Sequence, residues 1–298
     1  MPSPDGPGAA AGPAAPATQG GAGRAPFGAR LWAAMQAKGP LCVGIDPHPG
    51  LLAAWGLPDT PGGLRSFSLA ALEAVAPLAA AVKPQVALYE RHGSAGMAAL
   101  EELLAAASQA GVLTIADAKR GDIGSTMAGY ADAWLRDGST LAADAVTLSP
   151  YLGFESLRPA LDLAAANGRG VFVLALTSNP EGASVQHVGG SESVARRIAG
   201  AAAVENQRYA RDVLGSVGLV VGATVGSALA DLGIDLSAVR GPILAPGLGA
   251  QGATGADLRA TFGASYPAVL ATSSRGILAA GPDVAALRAA TREALQGL

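Results

Sequence analysis

The chain has 298 residues, of which 50% are hydrophobic and 14% charged, and its formal net charge is -3. This length suits one large domain, and the near-neutral charge without a Lys/Arg-rich run argues against nucleic acid as a partner. Every stretch of 18 or more apolar residues is interrupted by a charge or a proline, so no membrane span is expected.

The cysteine and histidine content gives no sign of a disulfide framework or a metal site. Cys42 is the only cysteine, and it lies in the apolar run "LCVGID", where a small buried core residue is expected. A lone thiol fits the reducing cytoplasm. His48, His92 and His187 are not at metal-ligand spacing and fall on different predicted loops, so no metal site is predicted.

The first 26 residues differ in composition from the rest of the chain. They consist almost entirely of Gly, Ala, Pro and small polar residues, with no apolar segment typical of a signal peptide. Because they offer no large side chains to bury, the entropy lost on ordering them would not be offset. We therefore expect a disordered tail over residues 1–26 and a single folded domain over residues 27–298.

From residue 27 onward, short β-like runs alternate with longer alanine-rich helical segments. The runs cover residues 41–46, 79–84, 112–118, 144–149, 171–176, 218–224, 242–247 and 267–273. Most are continuously apolar, as is typical of parallel strands covered on both faces. Eight such units at this length predict a (β/α)8 TIM barrel. A doubly wound open sheet is the alternative, but no GxGxxG follows the first run.

Charged side chains stand at the carboxyl ends of four of these runs. They are Asp46 in the first, Lys83 in the second, Asp117 and Lys119 in or just after the third, and Arg275 just after the eighth. Each alone also fits a structural role, such as a turn, a solvated strand end or a helix cap. In a barrel, however, the carboxyl ends of the strands converge on one face, where active sites are built. Their shared position favours a catalytic cluster.

The pair Asp117 and Lys119 suggests a particular chemistry. The two residues are two positions apart, so on a strand their side chains point the same way. In a dry pocket opposite charges hold each other ionised, and an ammonium group can stabilise and protonate a developing carbanion. A carboxylate aimed at a substrate carboxylate repels it until carbon dioxide leaves, which favours the transition state. The cluster suits decarboxylation, and no cofactor fingerprint is visible.

Six motifs carry a resemblance to a known family. "LCVGIDP", "AVKPQ", "DAKRGDIGST", "TSNPEG", "LAPGLGAQG" and "SSR" occur in this order between Leu41 and Arg275. Together they resemble orotidine 5'-phosphate decarboxylases of the longer bacterial subgroup, type 2. The resemblance implies conversion of orotidine 5'-phosphate to uridine 5'-phosphate, the last step of UMP biosynthesis, without a cofactor. It also implies a cytoplasmic homodimer in which Asp122 and Thr126 serve the neighbouring subunit's site.

The same resemblance implies roles for the charged cluster. Asp46 would bind a ribose hydroxyl, and Lys83 would connect the ribose to the charged network. Asp117 would lie against the substrate carboxylate and repel it, and Lys119 would donate the proton to C6 of the pyrimidine.

For the base and the phosphate, the resemblance implies contacts at the far strands. Ser178 would hydrogen-bond the pyrimidine, with Thr177 as the neighbouring alternative. Gly247, Gln251 and Arg275 would bind the phosphate after strands seven and eight, where barrels commonly bind phosphate and where Arg suits bidentate contact.

Two other functions are compatible with parts of this pattern. A related barrel enzyme shares Asp-x-Lys-x-x-Asp but acts on sugar phosphates through a metal, which requires an added acidic ligand near the second strand end. That end carries Lys83, although Glu90 is close in sequence. A nucleotide sensor with a dead site would be expected to lack Asp117 or Lys119, and both are present.

Overall fold

The computed structural model describes residues 23–210, 214–249 and 252–298. Its strands are β1 (Leu41–Ile45), β2 (Ala81–Pro84), β3 (Leu113–Arg120), β4 (Ala145–Leu148), β5 (Gly170–Leu176), β6 (Val217–Val221), β7 (Ile243–Pro246) and β8 (Val269–Ser273). Each strand pairs in parallel with the next, and β8 pairs with β1, which closes the barrel. The predicted (β/α)8 barrel is confirmed, and all eight predicted runs form strands.

Helices surround the barrel and fill the connections between strands. They are α1 (Phe27–Lys38), α2 (Pro49–Ala54), α3 (Pro61–Val75), α4 (Ala87–Glu90), α5 (Gly93–Gln109), α6 (Gly124–Leu135), α7 (Arg158–Ala166), α8 (Ala183–Gln186), α9 (Val194–Asn206), α10 (Ala228–Asp231), α11 (Gly255–Phe262), α12 (Arg275–Leu278) and α13 (Val284–Gln296). Within the described ranges, none of these helices is long and apolar enough to cross a membrane.

The strands read as continuous apolar runs because both of their faces are covered. Ile115 and Leu244 belong to a cluster in the barrel interior, whereas Ala116 and Ala245 belong to the larger core of the molecule. Cys42 is fully buried in the interior cluster, as expected of a small core residue. Burial raises the pKa of its thiol to about 12, although the nearby lysine of β2 opposes the shift.

Helix α1 closes the barrel at the end where the strands begin. Phe27 is fully buried and meets Phe172 of β5 edge to face, with ring centroids 5.9 Å apart. The first residue of β5 is Gly170, and a Cβ there would lie 2.2 Å from the Phe27 ring. Leu31 and Met35 extend the same interior cluster. This seal leaves the opposite end of the barrel open for a site.

The end of the predicted tail contacts the barrel. Arg24 donates to Asp137 at 3.0 Å and to the carbonyl of Asn167 at 2.9 Å. These contacts are exposed and are expected to stabilise the fold by less than about 1 kcal/mol. Residues 1–22 of the predicted tail lie outside the described residues.

The seal made by α1 can be tested with Phe27→Ala. Removing this ring opens a cavity against β5, so the free energy of unfolding should fall by about 3–5 kcal/mol. Reversible denaturant unfolding measures the change, and Gln36→Ala, on the exposed side of the same helix, should change it by less than about 0.5 kcal/mol. A loss below about 1 kcal/mol for Phe27→Ala would show that α1 does not seal the barrel.

Candidate active site

A pocket of about 430 Å³ opens at the carboxyl ends of the strands. Every strand or the loop after it contributes to the lining, which consists of Asp46, His48, Lys83, Gln85, Asp117, Lys119, Thr147, Leu174, Thr177, Ser178, Asn179, Val220, Gly222, Leu244, Pro246, Gly247, Leu248, Thr272, Ser274 and Arg275. The five charged residues predicted to share this rim therefore do line one pocket.

The carboxylate of Asp117 is the centre of a hydrogen-bonded network. Its Oδ2 accepts from Lys83 Nζ at 2.8 Å and from Gln85 Nε2 at 3.2 Å. Its Oδ1 accepts from Lys119 Nζ at 2.6 Å and from Thr147 Oγ1 at 3.0 Å. An ionised carboxylate only accepts hydrogen bonds, so four donors around one carboxylate match the charged form.

The electrostatics of this network follow from burial and charge pairing. Burial raises the pKa of the Asp117 carboxyl, but the ammonium groups of Lys83 and Lys119 outweigh that effect and hold the pKa well below its usual range. Burial likewise lowers the pKa of Lys83, yet Asp117 and Asp46 hold it above its usual value. Asp117 and Lys83 are therefore both charged at neutral pH.

Lys119 reaches Asp117 from an irregular part of β3. Its φ is +49°, in the left-handed region that non-glycine residues seldom adopt. The pairing of β3 with β4 shifts register between Ala116 and Arg120. Regular alternation along a strand therefore does not account for how the side chains of Asp117 and Lys119 meet, although both line the pocket as predicted.

Asp46 presents an unsatisfied acceptor at the end of β1. Its Oδ1 is buried and has no hydrogen-bond partner among the described residues. Lys83, whose ammonium group has three donors, gives one of them to Asp117. A buried polar atom without a partner is costly. This corner of the pocket is therefore suited to a ligand hydroxyl that can both donate and accept.

The hydroxyls of Thr177 and Ser178 differ in availability. Thr177 Oγ1 donates to Asn179 Oδ1 at 2.6 Å and accepts from Gln186 Nε2 at 2.7 Å. Ser178 makes no side-chain hydrogen bond within the described part of the chain, and it packs over Gly222, where a Cβ would lie 3.0 Å from its backbone nitrogen. Of the two, Ser178 has the hydroxyl that is available to a ligand.

Two of the three predicted phosphate ligands line the pocket at the end formed by β7 and β8. Gly247 follows β7 with φ +124°, a conformation that favours glycine. Arg275 follows the neighbouring strand β8, and its guanidinium makes no hydrogen bond to the described residues. Gln251, the third predicted ligand, lies outside the described residues.

Comparison with known proteins shows the family of this chain. The sequence model of the orotidine 5'-phosphate decarboxylase / HUMPS family matches residues 39–290. Orotidine 5'-phosphate decarboxylase of Salinispora arenicola is 57% identical over 271 residues, covering 90% of this chain and 95% of the relative. The Streptomyces coelicolor enzyme is 55% identical, with coverages of 89% and 94%. The chain belongs to the orotidine 5'-phosphate decarboxylase family.

Solved structures agree with this result. Leishmania donovani OMP decarboxylase is 33% identical with a TM-score of 0.72, and the match covers 91% of this chain and 96% of that one. The Methanocaldococcus jannaschii decarboxylase, solved with the inhibitor BMP, is 17% identical with a TM-score of 0.58 and shares the fold. Family membership makes this chain a carboxy-lyase and confirms the family and enzyme class expected from the sequence.

Two residues that the family resemblance implicated do not reach the pocket of their own chain. Asp122 Oδ1 accepts from the backbone N–H of Ile123 at 2.7 Å, and Thr126 is exposed in the first turn of α6. Neither lines the pocket. If they act in catalysis, they act outside the pocket formed by their own barrel.

The pocket also contains residues that the sequence analysis missed as ligands. Gln85 follows Lys83 by two positions, and this strand-like spacing could have indicated it. Thr147 is the one hydroxyl residue in the apolar strand β4, which is a weaker signal. His48, assigned to a loop, lines the pocket, and Thr272 Oγ1 is buried without a partner among the described residues.

Glu90, the acidic residue that kept the metal-dependent alternative open, is engaged elsewhere. Its carboxylate pairs with Arg120, whose guanidinium also packs over the rings of Tyr130 and Trp134. Across the described ranges, no three His, Cys, Asp or Glu side chains lie together as potential metal ligands. The geometry gives Glu90 a structural partner and no ligand cluster.

The pH dependence of stability tests the buried Lys83–Asp117 pair. Because the pKa of Asp117 is lowered in the folded protein, the contribution of this residue to stability is complete above its unfolded-state pKa of about 3.9. That contribution is lost as the pH falls below this value. The raised pKa of Lys83 means that its contribution is complete below about 10.4 and is lost as the pH rises above it. The reference is the double variant Lys83→Met/Asp117→Ala, in which neither position ionises.

The unfolding free energy of the parent minus that of this double variant should be about 1 kcal/mol smaller at pH 3 than at pH 7. Denaturant unfolding at the two pH values measures it. The exposed pair Arg65–Glu102 provides the matched control, since Arg65→Met/Glu102→Ala should change stability little at pH 7, as is typical of solvent-screened surface ion pairs. A pH-independent difference would show that the buried pair is not charged.

Proposed function

We propose that this chain decarboxylates orotidine 5'-phosphate to uridine 5'-phosphate, the last step of UMP biosynthesis, through an Asp/Lys network without a cofactor. The observation that carries the proposal is the buried Asp117 carboxylate held between the ammonium groups of Lys83 and Lys119. The names of the relatives support the substrate and the pathway. The fully buried thiol of Cys42 is consistent with the cytoplasmic location expected from the sequence.

The pocket can accommodate each part of this substrate at a different wall. In the proposed orientation the phosphate lies at the β7 and β8 end, against Gly247 and Arg275, with Gln251 as the third expected ligand. The ribose hydroxyls meet Asp46 and Lys83, where an unsatisfied buried acceptor lies beside an ammonium donor. The base then extends toward β5, with Ser178 as its hydrogen-bonding partner.

In this orientation the substrate carboxylate points at Asp117. Since Asp117 is held ionised by its four donors, it cannot relieve the repulsion by taking up a proton. The repulsion ends when the carboxylate leaves as carbon dioxide, so it acts on the bound substrate and not on the transition state. Asp117 therefore favours bond cleavage by raising the energy of the bound substrate relative to the transition state.

Lys119 completes the reaction. Breaking the bond between C6 and the carboxylate leaves its electron pair on C6, and the ammonium group of Lys119 stabilises this developing charge. A proton then passes from Nζ to C6, which gives uridine 5'-phosphate and a neutral amine that regains a proton from water. The Nζ atom lies 2.6 Å from Asp117 Oδ1 and so starts beside the position of the departing group.

An absorbance assay with a chelator tests this function. Loss of orotidine 5'-phosphate absorbance should proceed at the same rate with and without EDTA, and Lys119→Ala should lower turnover at least about 100-fold because the proton donor is gone. Uridine 5'-phosphate binding, measured by calorimetry, should change less than about 3-fold, since the phosphate and ribose contacts lie elsewhere. Inactivation by EDTA or full activity of Lys119→Ala would contradict the proposal.

We further propose a homodimer that shares its active sites. The loops after β3 and β4 pack together, and they expose the apolar side chains Ile123, Tyr151 and Leu152 by 62%, 79% and 54%. Asp122 and Thr126 lie beside this apolar surface and outside their own pocket. A second copy packed here would cover the exposed side chains and would bring these two residues toward its partner's site.

Reassortment of two inactive variants tests the sharing. Each site would take Lys119 from one chain and Asp122 from the other, so Lys119→Ala and Asp122→Ala homodimers should both be inactive. In a hybrid, one site carries both defects and the other has neither. Random reassortment makes half of the dimers hybrid, so about a quarter of full activity should return, as two-fold symmetry requires.

The variants are mixed, dissociated, reassociated and assayed, with native mass spectrometry to show that hybrids form. Each variant taken alone through the same procedure is the control. Background activity in a mixture that contains hybrids would show that Asp122 acts within its own chain.

A further inference from the structure

Thr147 joins the two central residues of the site through one hydroxyl. It is buried in β4, with 1% of its surface exposed. Its Oγ1 accepts from the backbone N–H of Lys119 at 2.9 Å and lies 3.0 Å from Asp117 Oδ1. The N–H can only donate, and an ionised carboxylate can only accept. The single hydroxyl proton is therefore directed at Asp117, and the orientation of the group is fixed.

The backbone around this hydroxyl is irregular. Paired residues of β3 and β4 are Ile115 and Ala145, Ala116 and Val146, then Arg120 and Leu148. Three residues of β3, from Asp117 to Lys119, thus stand opposite Thr147 alone. An insertion of this kind disrupts the ladder and re-aims side chains, as β-bulges do. Instead of a β4 backbone carbonyl, the acceptor for the N–H of Lys119 is the Thr147 hydroxyl.

Strain at Lys119 makes this support necessary. A left-handed φ of +49° is unfavourable for a non-glycine residue, and it persists only where the surrounding structure enforces it. The strained backbone directs Nζ to within 2.6 Å of Asp117 Oδ1. The Thr147 hydroxyl bonds both the backbone of Lys119 and the Asp117 carboxylate that Nζ contacts. One hydroxyl therefore sets the distance between Lys119 and Asp117.

We propose that Thr147 is a positioning residue, which holds Lys119 and Asp117 in register for proton delivery to C6. The inference rests on the proposed role of Lys119 as the proton donor. Without the hydroxyl, the N–H of Lys119 loses its acceptor and the insertion relaxes toward a less strained backbone. Nζ then moves off its line to the reacting carbon, while the walls that bind ribose and phosphate stay unchanged.

The chain offers a chemically matched control at the other end of the same strand pair. Thr114 of β3 is also buried, and its Oγ1 accepts from the backbone N–H of Asp144 at 3.0 Å. The same oxygen donates to the Asp144 carboxylate at 3.1 Å. This hydroxyl therefore makes the same two kinds of bond as Thr147, but at the start of the strands and away from the pocket.

The test compares Thr147→Val, Thr147→Ser and Thr114→Val with the parent enzyme. Thr147→Val should lower kcat about 10- to 100-fold, the scale expected when a reacting group is misplaced by about 1 Å. KM for orotidine 5'-phosphate and the Kd of uridine 5'-phosphate should stay within about 3-fold. Thr147→Ser, which keeps the hydroxyl, should restore kcat to within about 3-fold of the parent, and Thr114→Val should leave kcat unchanged.

Two results would overturn the proposal: a kcat for Thr147→Val within 2-fold of the parent, or equal losses in Thr147→Val and Thr147→Ser. If Thr147→Val does not fold, Thr147→Ala and Thr147→Ser give the same comparison at lower temperature. The parent enzyme is measured in the same assay, which distinguishes failure of this proposal from failure of the proposed function. An inactive parent would refute the proposed function and not the role of Thr147.

Discussion

The structure of this site depends on keeping the Asp117 carboxylate charged inside a pocket. A buried carboxylate without partners would take up a proton, because burial disfavours the charged form. Here two ammonium groups, one amide and one hydroxyl surround it. Asp46, Asp117, Lys83 and Lys119 then balance as two negative and two positive charges. In the proposed reaction, the substrate carboxylate adds an excess negative charge to this set, and loss of carbon dioxide removes it.

The barrel makes this arrangement possible by separating stability from function. Helix α1 and the interior cluster around Phe27 fill the end where the strands begin with apolar side chains. The charged residues stand at the other end, where each strand stops and its backbone no longer needs to pair on both sides. A rigid set of strand ends can therefore hold like and opposite charges at fixed distances.

The sequence predicted the parts of the fold and site that follow from composition and position. Eight continuous apolar runs indicated a closed parallel sheet, and charges at strand ends indicated a shared rim, because both depend on local pattern. Thr147 could not be predicted this way, since a lone hydroxyl in an apolar strand is usually a core residue. Its role arises from a register shift between β3 and β4 and from the left-handed backbone of Lys119, which no spacing rule reveals.

The residue at the end of β2 bears on whether the site fits the proposed decarboxylation or the metal-dependent alternative. A metal site there needs an acidic ligand set, but Lys83 occupies the strand end and donates to Asp117. Glu90, the first acidic residue after Lys83 in the sequence, is paired with Arg120. With an ammonium group at this position, the Asp117 carboxylate is neutralised from both oxygens by protein cations. The Asp117 carboxylate is therefore already paired with two protein cations, which supports the proposed decarboxylation over the metal-dependent alternative.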